Sequence, residues 1–117
     1  MADVSVRPAT PGEYVAVRSI LEGALLTVEG GLVARSAALV AAADERVVGA
    51  LLLRGSEIEA IAVRPGRRGQ GLGTALVEAA ADRRPFLSAG FDPELRPFYS
   101  ALGFDVRCSE GRCWGYL

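Results

Sequence analysis

Three side chains are missing from the 117 residues and a fourth is scarce. There is no His, no Lys and no Asn, and the only thiols are Cys108 and Cys113. Without His, the commonest general base and the commonest transition-metal ligand are both gone. Two thiols from one chain do not complete a tetrahedral zinc site, so no metal is expected. All 13 basic residues are Arg, which excludes Schiff-base chemistry and a Walker-type lysine. Nor is there an excess of either charge. With 14 acidic residues the formal net charge is −1, which argues against bulk electrostatic binding of nucleic acid. No apolar run approaches the roughly 20 residues of a membrane span, and no signal-peptide pattern is present. A cytoplasmic protein with neither a membrane nor a nucleic acid as partner is expected.

What is present suits a packed core. Half of the residues are apolar and the mean hydropathy is +0.26, too apolar for a disordered segment. The length fits one domain, expected to span residues 1–117. Cys108 and Cys113 flank Ser109-Glu110-Gly111-Arg112, which reads as a hairpin turn. The two sulfurs can face each other there, but a cytoplasmic setting favours two reduced, half-buried thiols.

Val4 and Val6 alternate with polar residues before Arg7-Pro8, as in a short strand. Thr10 then caps a helix, with Pro11 at its first position and Glu13 three residues after the cap. Tyr14, Val17, Ile20, Leu21, Ala24 and Leu25 form one apolar stripe, which Glu29-Gly30-Gly31 ends. Leu32 to Ser36 reads as a short second helix or a loop. Ala37–Ala43 and Val47–Leu53, joined by a tight turn at Asp44-Glu45-Arg46, read as a hairpin, and Glu57–Val63 alternates as a third strand. A strand at Phe86 to Ala89 and a helix around Pro97-Phe98-Tyr99 follow.

The segment Arg64-Pro65-Gly66-Arg67-Arg68-Gly69-Gln70-Gly71-Leu72-Gly73-Thr74 leaves that third strand directly and opens a helix running to about Arg83. Unpaired N–H groups and the positive end of a helix dipole converge at such a junction and favour an anion such as pyrophosphate. Glycines let the backbone approach the phosphates, and arginines add charge-assisted contacts. A Walker loop is excluded by the missing lysine. A Rossmann loop needs a parallel βαβ unit, whereas the strands before this loop read as hairpins.

Arg68-x-x-Gly71-x-Gly73 resembles the Arg/Gln-x-x-Gly-x-Gly/Ala acyl-CoA loop of the GCN5-related N-acetyltransferase (GNAT) superfamily. Ile61-Ala62-Val63-Arg64-Pro65 is similar to the strand that enters that loop. Pro97-Phe98-Tyr99-Ser100-Ala101-Leu102-Gly103-Phe104 is similar to the family's later Tyr-x-x-x-Gly-Phe element. The resemblance implies an α/β (α+β) fold, a mixed, mostly antiparallel sheet flanked by helices in the order β-α-(α)-βββ-α-β-α-ββ. It also implies an N-acetyltransferase that uses acetyl-CoA as acyl donor and an amine as acceptor.

By the same resemblance, the N–H groups from Arg68 to Thr74 (Arg68, Gly69, Gln70, Gly71, Leu72, Gly73, Thr74), with Arg67 beside them, would bind the pyrophosphate. The backbone of Ile61, Ala62 and Val63 would pair with the pantetheine arm, and an N–H near Val63 would polarise the thioester carbonyl. Tyr99 matches the tyrosine that protonates the departing thiolate; an ordinary phenol pKa of about 10 keeps it protonated at neutral pH. Glu57, eleven residues before Arg68, stands where histone-type members carry their glutamate. Strict alternation would place Glu59 on the same face, and two adjacent carboxylates would raise one pKa into the range of a base. A solvent-exposed polar face is the plainer reading of the pair. Glu57, Glu59, Asp92, Glu94 and Glu29 can rim an acceptor site attractive to a cationic amine. The short segment from Thr27 to Ser36 suits an open cleft for a peptide or protein acceptor, and equally a homodimer whose second copy closes the site. A non-catalytic acyl-CoA sensor of the same fold is the alternative. An RNA-binding module built on the loop arginines lacks interleaved aromatics.

Overall fold

A computed structural model of the chain describes residues 4–23 and 36–117. Its elements are β1 (Val4–Pro8), α1 (Tyr14–Gly23), β2 (Ala37–Ala43), β3 (Arg46–Arg54), β4 (Glu57–Val63), α2 (Leu72–Ala81), β5 (Ser88–Phe91), α3 (Arg96–Ala101), β6 (Asp105–Ser109) and β7 (Arg112–Tyr116). All seven strands form one sheet in the order β1-β2-β3-β4-β5-β7-β6. Every neighbouring pair is antiparallel except β4–β5, which is parallel. The α/β class and mixed sheet expected from the sequence are those observed. The optional helix at Leu32 to Ser36, the breaker at Glu29-Gly30-Gly31, and Ala24 and Leu25 of the stripe lie outside the described residues, apart from Ser36 itself.

The sheet has helices on both faces. Val17, Ile20 and Leu21 of α1 pack on Val47, Ala50 and Leu52 of β3. On the other face Leu72, Leu76, Val77 and Ala80 of α2 meet Val48, Leu51 and Leu53. Strand β3 therefore reads as a continuous apolar run, because each successive residue finds a covered face. The β2–β3 turn places Asp44 and Glu45 at φ of 53° and 63°, the left-handed pair that a two-residue hairpin requires.

The start of α1 is held by charge. Arg7 on β1 grips Glu13 with Nη1–Oε1 at 2.7 Å and Nη2–Oε2 at 2.8 Å, and the Thr10 N–H donates to Glu13 Oε1 at 2.9 Å. Hydrogen bonds from Arg7 and then from the Thr10 backbone pull the Glu13 carboxyl down from an ordinary 4.5 to about 2. A depressed carboxyl pKa contributes stability that is present above the ordinary value and lost as pH falls. For Glu13 the window runs from about 4.5 down to about 2. Glu13→Gln is expected to cost about 1–2 kcal/mol at neutral pH and to flatten the loss of stability across that window. Urea denaturation at several pH values measures both effects.

Two expectations need correction. Strand β5 covers Ser88–Phe91 and not Phe86 to Ala89. Its ladder begins where Ser88 meets Glu57 of β4 and Tyr116 of β7, leaving Phe86 outside and exposed. The cysteines are not two free thiols: Cys108 and Cys113 are joined by a disulfide. They are directly paired across the β6–β7 hairpin, whose turn at Glu110 and Gly111 is so tight that the two side chains project side by side.

Candidate active site

Strands β4 and β5 touch only briefly. They pair at Glu57↔Ser88 and Ile58↔Ala89 and then separate. The cause lies in β4. Leu53 of β3 pairs with Ile58 and Leu52 pairs with Ala60, so Glu59 is an extra residue without a partner. Such a bulge bends and twists its strand, while β5 stays with β7 through Phe91↔Cys113. Beyond Glu59 the edge of β4 has no strand beside it, and its unpaired backbone groups are open to an extended ligand.

The loop after β4 is fixed to the sheet. Arg64 donates through its backbone N–H to the Val48 carbonyl at 2.8 Å and through Nε to the Val47 carbonyl at 2.9 Å. Arg68 Nε turns back onto the Val63 carbonyl at 3.1 Å, and Arg67 Nη2 lies 3.3 Å from Asp44 Oδ2. Gly69 and Gly71 take φ of 76° and 80°, a left-handed conformation that strains other side chains by about 1–2 kcal/mol. The first intrahelical bond runs from the Ala75 N–H to the Gly71 carbonyl at 3.0 Å. The N–H groups of Leu72, Gly73 and Thr74 thus belong to the open first turn of α2, at the positive end of its dipole.

Loop, β4 edge and helix enclose a cleft of about 390 Å3. Ile61, Ala62, Val63, Arg67, Arg68, Gly69, Gly71, Leu72, Gly73 and Thr74 line it, joined by Leu95 and Phe98. Of the residues that the sequence assigns to cofactor binding, only Gln70 is outside this lining, exposed on the loop. Leu95 and Phe98 carry no sequence signal for this cleft, because they belong to the turn and helix after β5. A close approach brings Phe98 in: a Cβ on Gly73 would stand 3.4 Å from two of its ring carbons.

A smaller pocket of about 170 Å3 occupies the gap between the separating strands and adjoins the cleft through Ile61 and Leu95. Glu59, Asp92, Tyr99 and Arg112 give it its polar groups, and Ile58, Ala60, Gly90 and Phe91 complete the wall. Tyr99 is only 2% exposed. Its ring stacks on Phe91 at 4.1 Å and meets Phe98 and Phe104 edge-on at 5.0 and 5.1 Å. Burial among these rings pushes the phenol up from its ordinary 10 to about 12, so it is more firmly protonated than an unperturbed tyrosine. Glu59 shares this pocket with Tyr99. Glu57 does not; it lies exposed at the start of β4, opposite Arg54 and beside Ser88. The bulge removes the strict alternation on which a same-face pair of carboxylates depended.

No described helix is long and apolar enough to cross a membrane. Among the described residues no group of three or more His, Cys, Asp or Glu is placed to hold a metal ion.

Residues 34–106 match a family model described as an acetyltransferase (GNAT) domain. No curated protein matches the chain by sequence. Solved structures share the fold at low identity. A structure from Desulfovibrio desulfuricans described as of the GNAT family superposes with a TM-score of 0.79 at 20% identity, covering 98% of each chain. Arabidopsis thaliana Naa50, bound to the bisubstrate analogue CoA-Ac-MVNAL, gives 0.77 at 18% identity over 97% of this chain and 96% of its own. A GNAT family acetyltransferase from Elizabethkingia anophelis with acetyl-CoA bound gives 0.71 at 14% identity over 97% of both chains.

Proposed function

The chain belongs to the GNAT acetyltransferase domain family, and from that premise we propose that it is an acetyl-CoA-dependent N-acetyltransferase acting by direct attack of an amine in a ternary complex. The observation that carries this reading is the juncture of the two pockets. A cleft ending at a glycine loop and helix N-terminus shares Ile61 and Leu95 with a small pocket lined by Glu59 and Tyr99.

The pyrophosphate would sit against the N–H groups from Arg68 to Thr74, with Gln70 contributing backbone only. The unpaired edge at Ile61–Val63 would take the pantetheine arm as an added strand, and an N–H there would polarise the thioester carbonyl. The amine nitrogen forms a bond to the acetyl carbon as the carbon–sulfur bond breaks. The amine's proton leaves to Glu59, directly or through water, and the sulfur takes the phenolic proton of Tyr99. A phenol at about 12 is a weak acid, but the same dry surroundings raise the basicity of a thiolate generated beside it. Glu57, exposed and outside the pocket, has the weaker claim to the role of base.

Calorimetry with acetyl-CoA, followed by a thiol-release assay over a panel of amines, tests the reading. Micromolar binding with amine-dependent thiol release is expected. Binding without release from any amine would favour the non-catalytic acyl-CoA sensor. No binding by the folded protein would remove both and leave a shared fold.

A further inference from the structure

Arg112 on β7 has no part in the acyl-transfer steps above, yet it lines the small pocket together with Glu59, Asp92 and Tyr99. Its seat is made by a missing side chain. A Cβ on Gly90 would stand 3.3 Å from Arg112 Nη2 and 3.7 Å from Cδ1 and Nε1 of Trp114. The guanidinium and the indole therefore both rest over the glycine of β5, at the bank of the gap opposite the β4 bulge. The nearest carboxylate oxygen, Asp92 Oδ1, is 3.8 Å from Arg112 Nη1, with the two side chains 77% and 53% exposed. That distance is too long for a hydrogen bond, and exposed pairs of this kind contribute little. Among the described residues no other acceptor holds the guanidinium, whose forked donors suit a carboxylate.

The pocket thus presents two carboxylates, Glu59 and Asp92, and one cation, Arg112, whose donors have no acceptor within hydrogen-bond distance among the described residues. A simple amine or a polyamine would leave those donors unmatched. An amine that also carries a carboxylate matches both the acids and the guanidinium. The volume of about 170 Å3 is below the roughly 300–1,000 Å3 of ordinary small-molecule sites, which points to a small acceptor.

We propose that the acceptor is a small amino acid, held by its ammonium at Glu59 and by its carboxylate at Arg112. The inference rests on the acyl-transfer reading and names its acceptor class. Transfer turns the ammonium into a neutral amide, and two protons leave the nitrogen: the first passes to water before attack, and the second goes to Glu59, directly or through water, as the nitrogen gains the acetyl carbon, the carbon–sulfur bond breaks and the thiolate takes the proton of Tyr99. The N-acetyl product keeps its hold on Arg112 and loses its hold on Glu59, which favours release.

The test measures thiol release with a panel of α-amino acids, each beside its primary amide and its decarboxylated amine. For the best amino acid, kcat/KM is expected to exceed that of the matched amide and amine by about 100-fold, as for a site built around a charged hydrogen-bonding group. Arg112→Gln should reduce that ratio to below about 5-fold, mainly through KM, and Arg112→Lys should restore part of it. Acetyl-CoA affinity and melting temperature should not move. Amides or decarboxylated amines used as well as the acids, or a ratio unchanged in Arg112→Gln, would overturn the proposal and leave acyl transfer standing. Thiol release from no amine, with acetyl-CoA bound, would overturn both.

Discussion

Replacing Tyr99 by Phe is expected to lower kcat about 100-fold, the lower end of what a positioned acid or base contributes, with acetyl-CoA affinity unchanged within about 2-fold. The ring stays, so its stack on Phe91 and its edge contacts with Phe98 and Phe104 stay too. Stability at neutral pH should change by less than about 1 kcal/mol. Pre-steady-state thiol release separates the chemical step from product release. The phenol also makes a separate prediction at high pH. Its folded pKa is raised from 10 to about 12, so its contribution is complete below the ordinary value and is lost as pH rises through that window. The loss amounts to about 3 kcal/mol if the whole shift is realised. Tyr99→Phe has no such loss, and its denaturation midpoint should hold between pH 10 and 12 where that of the parent protein falls. A kcat that survives the substitution would remove Tyr99 as the acid, whatever the stability shows.

Gly71→Asp is expected to weaken acetyl-CoA binding at least about 100-fold while leaving the fold in place. Gly71 stands at φ 80°, ψ 10°, as the residue before the first turn of α2. Among non-glycine residues Asp tolerates that left-handed region comparatively well, and a negative charge there interacts favourably with the helix dipole. The cost to stability should be about 1 kcal/mol. Binding suffers because the carboxylate takes the place of the anion, and like charges in one N–H cradle exclude each other. Calorimetry and thermal melting on the same sample read the two effects separately. A large loss of melting temperature would mean that the substitution acts through the loop's fold and not through its charge.

Both predictions start from residues that a linear reading finds, and their neighbours show where such reading stops. The bounds of β4 are legible because Glu57–Val63 alternates and is bracketed by Gly55-Ser56 and Arg64-Pro65. The glycine loop is legible because its residue types serve one purpose at consecutive positions. Leu95, Phe98 and Arg112 are not, since each enters the site from a different element and only the third dimension brings them together. The bulge at Glu59 is hidden for another reason. Glu-Ile-Glu-Ala-Ile-Ala-Val alternates in sequence, so nothing in it reveals that the ladder skips a residue. The disulfide is not legible either, because a cytoplasmic setting argues for free thiols and the sequence alone does not fix the register of the hairpin. The structure pairs Cys108 directly with Cys113 across a two-residue turn and joins them.

The skipped residue says something about how such a pocket can arise. Ile58 faces the same core as Leu53, and Ala60 the same core as Leu52, as they would in an unbroken ladder without residue 59. Deleting Glu59 would therefore restore a regular hairpin with every other partner kept. Inserting one residue into an already sound hairpin is then enough to part β4 from β5 and to seat a carboxylate in the opening. The sheet is complete without residue 59; the pocket is not.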